Sequence, residues 1–141
     1  MKALIDTNIV LDVLLERPEF FNNSRAIFEL TEKNRIKGFI SASAITDIYY
    51  FINKKIKDYN AVYQIMEYLT NLFSVALVSK TTITRALSLR WKDFEDAVQY
   101  TVAKENDITH IITRNITDFK TLDIICISPV NFINHINEQS P

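Results

Sequence analysis

Four carboxylates stand where chemistry would want them. Asp6 directly follows the short apolar run from Lys2 to Ile5. Asp47 falls in the first turns of a helical pattern after Gly38-Phe39-Ile40. Asp96 lies in the first turn of a pattern opened by Asp93, and Asp118 comes five residues after the run His110 to Thr113. Each has a plain structural explanation: a helix cap for Asp6, a solvated helix position for Asp47, an N3 acid beside a capping Asp93 for Asp96, and a turn for Asp118. Jointly these explanations compete poorly. Four acids within about 4–6 Å of one another repel by several kcal/mol, so a fold keeps them only where cations neutralise them. Oxygen donors with few others select Mg²⁺ or Mn²⁺. Such an ion activates water and stabilises charge on a phosphodiester, which is the chemistry of hydrolysis.

Elimination points the same way. The chain has one glycine, Gly38, so it cannot build a Walker loop, a dinucleotide turn or a nucleophile elbow. It has one cysteine, Cys126, and two histidines, His110 and His135. No internal disulfide, Cys-rich zinc site or Ser-His-Asp set follows from these. Cys126 reads as a small buried hydrophobe, and the histidines as structural or exposed. The net charge is -1, so no global basic field draws the chain to nucleic acid. Local basic groups remain: Lys33, Arg35 and Lys37; Lys54, Lys55 and Lys57; Arg85, Arg90 and Lys92; Arg114 and Lys120. Arg90, Lys92 and Arg114 flank the acids in sequence and suit backbone phosphates. Trp91 and Phe94 either stack on an unpaired base or pack in the core. Tyr49, Tyr50 and Phe51 cannot all face the core at helical spacing, so one lines a groove or a partner surface.

The elements that must carry these residues alternate. Short strands are expected at Lys2–Ile5, at Gly38–Ile40, and over 75–78, 110–113 and 124–127. Helices are expected over 9–15, 25–33 (capped by Asn23 or Ser24), 43–53 (capped by Ser43), 58–72, 81–89 and 93–105. Pro129 suits the first turn of a closing helix. Apolar strands of about four residues between helices imply an α/β fold. Its core is a parallel sheet of four to five strands covered on both faces. Ligands then sit beyond the carboxyl ends of the strands. A length of 141 residues, with 48% hydrophobic and 23% charged, suits one domain over residues 1–141. Asp6 interrupts any signal-peptide core and no apolar run approaches a membrane span, so a cytoplasmic location is expected.

The segments LIDTNIVLDVLL, SASAITDIYYF, DFEDAVQY and HIITRNITDF occur in that order and resemble the motifs of PIN-domain proteins. The resemblance runs from Leu4 to Ser128-Pro129-Val130. It implies a three-layer α/β/α fold and a metal-dependent ribonuclease site. Asp6, Asp47 and Asp96 would hold Mg²⁺ or Mn²⁺, with Thr7 and Asn8 beside them. Small single-domain bacterial members are toxins of VapBC-type pairs, which cleave RNA and are silenced by an antitoxin protein. Homodimer and inhibitor contacts would lie among the aromatic-rich helices between Ile9 and Tyr68. Two departures stand out. Asp47 occupies a position that is usually Glu, and Asn115 one that is often an acid. Asp118 shares that fourth role with Asn115, while Thr113 and Arg114 orient the site or hold substrate. The departures leave one alternative, a catalytically silent PIN-like module that binds RNA or protein. A phosphatase of the haloacid-dehalogenase type would need an acid where Asn8 stands. A response-regulator receiver would need adjacent acids where Asp6 stands alone.

Overall fold

The computed structural model describes residues 1–119 and 123–139. Lys120 and Pro141 lie outside that range. Strands β1 (Lys2–Ile5), β2 (Lys37–Ser41), β3 (Ser74–Ala76), β4 (His110–Ile112) and β5 (Ile125–Ile127) form one sheet. Helices α1 (Thr7–Leu14), α2 (Phe21–Glu32), α3 (Ala42–Ile56), α4 (Tyr59–Leu72), α5 (Lys80–Leu89), α6 (Phe94–Glu105) and α7 (Pro129–Gln139) connect and close it. The sheet order is β3-β2-β1-β4-β5, and every pair is parallel. The chain therefore moves outward from β1 to β3, then returns past β1 to β4 and β5. The direction reverses between β1 and β4, the place where an open parallel sheet leaves a crevice at its carboxyl edge.

Side chains alternate across the sheet, as period-2 geometry demands. Ala3, Ile5, Ile40 and Ile112 pack with Ile9, Phe28, Ile48, Val62 and Phe132 from α1–α4 and α7. Leu4, Phe39 and Ile111 turn the other way, onto Ala86, Val98 and Val102 of α5 and α6. This is the expected three-layer α/β/α fold.

Three expected helix starts differ from the structure. Helix α2 begins at Phe21, so Asn23 and Ser24 lie inside it and cap nothing. Ser24 is buried, and its hydroxyl donates to Asp12 Oδ2 at 3.0 Å. Helix α3 is capped by Ser41, two residues before Ser43, because the Ser41 hydroxyl accepts the Ser43 N–H at 3.2 Å. Helix α1 begins at Thr7, directly after Asp6. Asp93 caps α6 and Pro129 lies in the first turn of α7, as the sequence predicted, while Asp58, expected as the first residue of its helix, is the N-cap of α4.

Gly38 is required by close approach. A Cβ there would stand 2.7 Å from Phe73 Cδ1 and 3.1 Å from Thr31 Oγ1. Phe73 is itself fully buried against Phe28, edge to face at 5.0 Å, and has nowhere to go. Gly38→Ala is expected to destabilise by about 1–3 kcal/mol, the usual cost of overpacking. Urea unfolding checks this, and an unchanged midpoint would show that the ring yields freely. Among the described residues no helix is long and apolar enough to cross a membrane.

Candidate active site

Asp6 occupies the N-cap position of α1, and its backbone carbonyl accepts from the N–H groups of Ile9 and Val10. Its carboxylate caps nothing. Instead Oδ1 accepts from Gln99 Nε2 at 3.0 Å and Oδ2 from the Thr113 hydroxyl at 2.8 Å. Both partners are buried, as is Asp6 itself. The carboxylate is thus clamped from α6 on one side and the end of β4 on the other, across the point where the sheet reverses. The N–H of Asp6 donates to Ile112 O at 3.0 Å and pins β1 to β4 immediately below. Each oxygen retains a second lone pair.

A cavity of about 210 Å³ opens above this carboxylate. Asp6, Thr7 and Asn8 line it from the start of α1, and Asp47 and Phe51 line it from α3. Asp93, Glu95 and Asp96 enter from α6, and Asn115 and Asp118 from the segment after β4. Asp47 and Phe51 are one turn apart and share a face beside that of Ile48 and Ile52, which are buried in the core. Asp93 accepts the Asp96 N–H at 3.2 Å, so it fixes the first turn of α6 and with it the Asp96 side chain. Thr7 is buried, and its hydroxyl has no hydrogen-bond partner among the described residues.

The charges have physical consequences. Burial, followed by repulsion from Asp93, Asp6, Asp118 and Glu95, pushes the Asp96 carboxyl up to about 7. Burial and then Asp47, Asp6 and Asp93 raise that of Glu95 as well. The folded chain therefore holds the Asp96 proton more tightly than an unfolded chain with its ordinary value of 3.8. The stability tied to this proton is complete below about pH 4 and is lost as pH rises toward 7. Ion-free protein is expected to be less stable at pH 8 than at pH 5. Discounted for the open mouth of the cavity, the Asp96 contribution is about 1–2 kcal/mol. Urea titrations in chelator would measure it, and a stability rising steadily from pH 5 to 8 would contradict it. His110 acts in the opposite sense, since burial lowers its pKa.

The structure brings Asp6, Asp47, Asp96, Asp118, Thr7, Asn8 and Asn115 to one cavity and keeps Thr113 as a strut beneath Asp6. Arg114 is committed to another partner: Nε and Nη2 donate to the two oxygens of Asp12 at 3.1 and 3.0 Å, and the guanidinium lies over the Phe20 ring at 3.7 Å. Of the two roles expected of it, this geometry favours orienting over holding phosphate. Asp12 is fully buried and also accepts from Arg17 and Ser24. Neither Asp12 nor Gln99 was singled out in the sequence. The signal for Asp12 is an acid inside the apolar run IVLDVLL, which must be paired once buried. The signal for Gln99 is an amide one turn below Asp96 on the same helix face. Glu95 was missed too, although it neighbours Asp96. Cys126 is half-buried with its thiol pushed up to about 11, chiefly by burial. His110 and His135 meet with ring centroids 6.0 Å apart on β4 and α7.

Among the described residues no group of three or more His, Cys, Asp or Glu side chains is placed closely enough to hold a metal ion as it stands. The chemistry of the lining is nevertheless that of a hard-cation site: its donors are all oxygen, and burial together with the neighbouring carboxylates raises the pKa of Asp96.

A parallel sheet of this order with acids on its switch-point crevice defines a class of α/β proteins, and comparison places the chain within it. The family model for the PIN domain matches residues 2–117, and the chain belongs to that family. It is 26% identical to Ribonuclease VapC1 of Aquifex aeolicus (strain VF5), with 96% of each chain covered. Among solved structures it resembles VapBC2 of Rickettsia felis bound to a promoter DNA fragment, with a TM-score of 0.66 and 17% identity, covering 89% of this chain and 97% of that one. It also resembles VapC20 of Mycobacterium tuberculosis, a toxin that cleaves the sarcin-ricin loop, at a TM-score of 0.66 and 13% identity, covering 87% and 98%. A toxin–antitoxin complex from Klebsiella pneumoniae matches at 0.67 and 21%, covering 90% and 97%.

Proposed function

We propose that this chain is a divalent-metal-dependent ribonuclease that hydrolyses RNA phosphodiester bonds, and that it is the cytoplasmic toxin of a VapBC-type pair. The observation that carries this reading is the convergence of Asp6, Asp47, Asp96 and Asp118 on one cavity at the reversal of the sheet. The VapC1 likeness over nearly the whole chain supports it, as do the VapBC complexes among the structural relatives.

Asp6, Asp96 and Asp47 would hold Mg²⁺ or Mn²⁺, with Asp118 and Asn115 sharing the fourth place. When bound, such an ion acidifies water and neutralises charge on the reacting phosphate. The chain's own residues supply placement. Gln99 and Thr113 keep both oxygens of Asp6 in a fixed orientation, so no reorganisation is needed when charge develops. Asp93 locks the turn that presents Asp96. Thr7, Asn8 and Asn115 line the otherwise anionic cavity with neutral hydrogen-bonding groups. The Arg114–Asp12 pair steadies the segment between Thr113 and Asn115. No side-chain nucleophile is required.

Purified protein is expected to cut single-stranded RNA in Mg²⁺ or Mn²⁺ and to stop in excess chelator. Cleavage unaffected by chelator would overturn the reading. An antitoxin protein and a second copy are the proposed partners. Their support is the exposed aromatic surface of α3 and α4, where Tyr50 and Tyr59 are each 65% exposed. A monomer-only mass at micromolar concentration would count against the second copy.

A further inference from the structure

A second hollow, of about 630 Å³, lies beside the acidic cavity and shares Asp93 and Asp118 with it. Trp91, Lys92, Phe94 and Thr117 form the rest of its wall. Its size falls in the range of about 300–1,000 Å³ typical of small-ligand sites. Trp91 is held as a rigid plate. Its ring packs on Tyr100 with centroids 5.1 Å apart and meets Phe119 edge-on at 6.3 Å. Tyr100 is fixed in turn, because its hydroxyl donates to both oxygens of Asp123 at 2.9 and 3.0 Å. Phe94, the first residue of α6, stays 42% exposed although the core lies one turn away. Lys92 is exposed and forms no ion pair among the described residues. An ordered aromatic wall and an uncommitted ammonium, continuous with an acidic cavity, make a pattern that fits a nucleotide: the base stacks and the phosphate meets the cation.

We propose that this hollow is a nucleotide subsite of the cleavage cleft. An unpaired base next to the scissile phosphate stacks against Phe94 and the Trp91 edge of the wall, and Lys92 contacts the adjoining backbone phosphate. This rests on the ribonuclease reading and adds to it which side chains of this chain hold the nucleotide beside the cut: Phe94 and Trp91 for the base, Lys92 for the phosphate. Paired bases cannot enter, because stacking on the wall requires the base to leave its duplex neighbours.

Trp91 is the only tryptophan in the chain, so its emission reports the subsite directly. The probe is a short single-stranded RNA titrated into Asp96→Asn protein in Mg²⁺, with fluorescence anisotropy of an end-labelled strand followed in parallel. Binding is expected to quench Trp91 emission, whereas a fully paired duplex of the same sequence does not. Phe94→Ala is expected to weaken binding about 5- to 100-fold, the range of one lost base stack. Lys92→Ala is expected to lower the slope of log affinity against log salt by about 0.7, one single-strand phosphate contact. Lys33→Ala, remote from the cleft, serves as the control. RNA that binds without quenching, or that binds Phe94→Ala as tightly as the parent, would overturn the subsite, as would the lack of saturable binding. The ribonuclease reading is judged separately, by cleavage with the unmutated protein in Mg²⁺ and in chelator. The subsite can therefore fail while the nuclease stands.

Discussion

Asp96→Asn is expected to lower RNA cleavage by a factor of about 100 or more while leaving a protein that is more stable, not less, when no divalent ion is present. The two effects share one cause. Burial penalises the ionised Asp96, and repulsion from Asp93, Asp6, Asp118 and Glu95 adds to the penalty, which is why its carboxyl is pushed up to about 7. An amide of the same shape keeps the packing and the first turn of α6, where Asp93 accepts a backbone N–H rather than the Asp96 side chain. It removes one charge from an overcharged cavity, so ion-free stability at pH 8 should rise. It also removes one of the few anionic donors that could hold a divalent ion. Losing several kcal/mol of charge stabilisation in a transition state amounts to about two orders of magnitude or more in rate. The asparagine variant should also lose the Asp96 part of the fall in stability between pH 5 and 8, leaving the opposing His110 contribution in view. Thermal melts in chelator at both pH values, beside cleavage assays in Mg²⁺, check all of this. An asparagine variant that cuts as fast as the parent would remove Asp96 from the site. One that melts lower in chelator would show that its charge is compensated by something other than a cation.

The acids were legible in the sequence because they follow apolar strands or open helices, and parallel sheets put those positions at one edge. Their supports were not. The Gln99–Asp6 bond joins residues 93 apart in the chain and the Arg114–Asp12 pair joins residues 102 apart. Nothing local marks such partners, because their meaning depends on strand order. The order β3-β2-β1-β4-β5 itself was beyond local patterning, since alternation of strands and helices specifies a parallel sheet but not which strand lies beside which. Helix starts failed where two hydroxyls competed. Ser41 and Ser43 lie with their hydroxyl oxygens 2.6 Å apart, and only φ and ψ decide which one caps. Ser24 has the composition of a cap, but its hydroxyl is committed to Asp12. Arg114 was open to two roles, orienting the site or holding substrate, because sequence position alone does not show that a buried carboxylate 102 residues away pairs with it.

That carboxylate is where the second large effect is expected. Asp12 has no exposed surface, and four donors converge on it: two from Arg114, one from Arg17 and one from Ser24. Removing one partner of a buried, hydrogen-bonded ion pair leaves the other charge stranded, at a cost of about 3–5 kcal/mol. Asp12→Ala should therefore lower stability by that amount, a large share of the roughly 5–15 kcal/mol that holds a typical domain together. Arg114→Ala should cost less. Arg17 and Ser24 still satisfy Asp12 in that variant, while the contact of Arg114 with Phe20 is lost. The asymmetry is the useful part. If both truncations cost the same, the pair itself carries the stability. If Asp12→Ala costs clearly more, the penalty comes from stranded cations, and the double variant Asp12→Ala with Arg114→Ala should recover part of the loss. Urea unfolding of the two single variants and the double variant measures the coupling. An Asp12→Ala midpoint within about 1 kcal/mol of the parent would show that water reaches this carboxylate after all, since only solvation could replace four buried hydrogen bonds so cheaply.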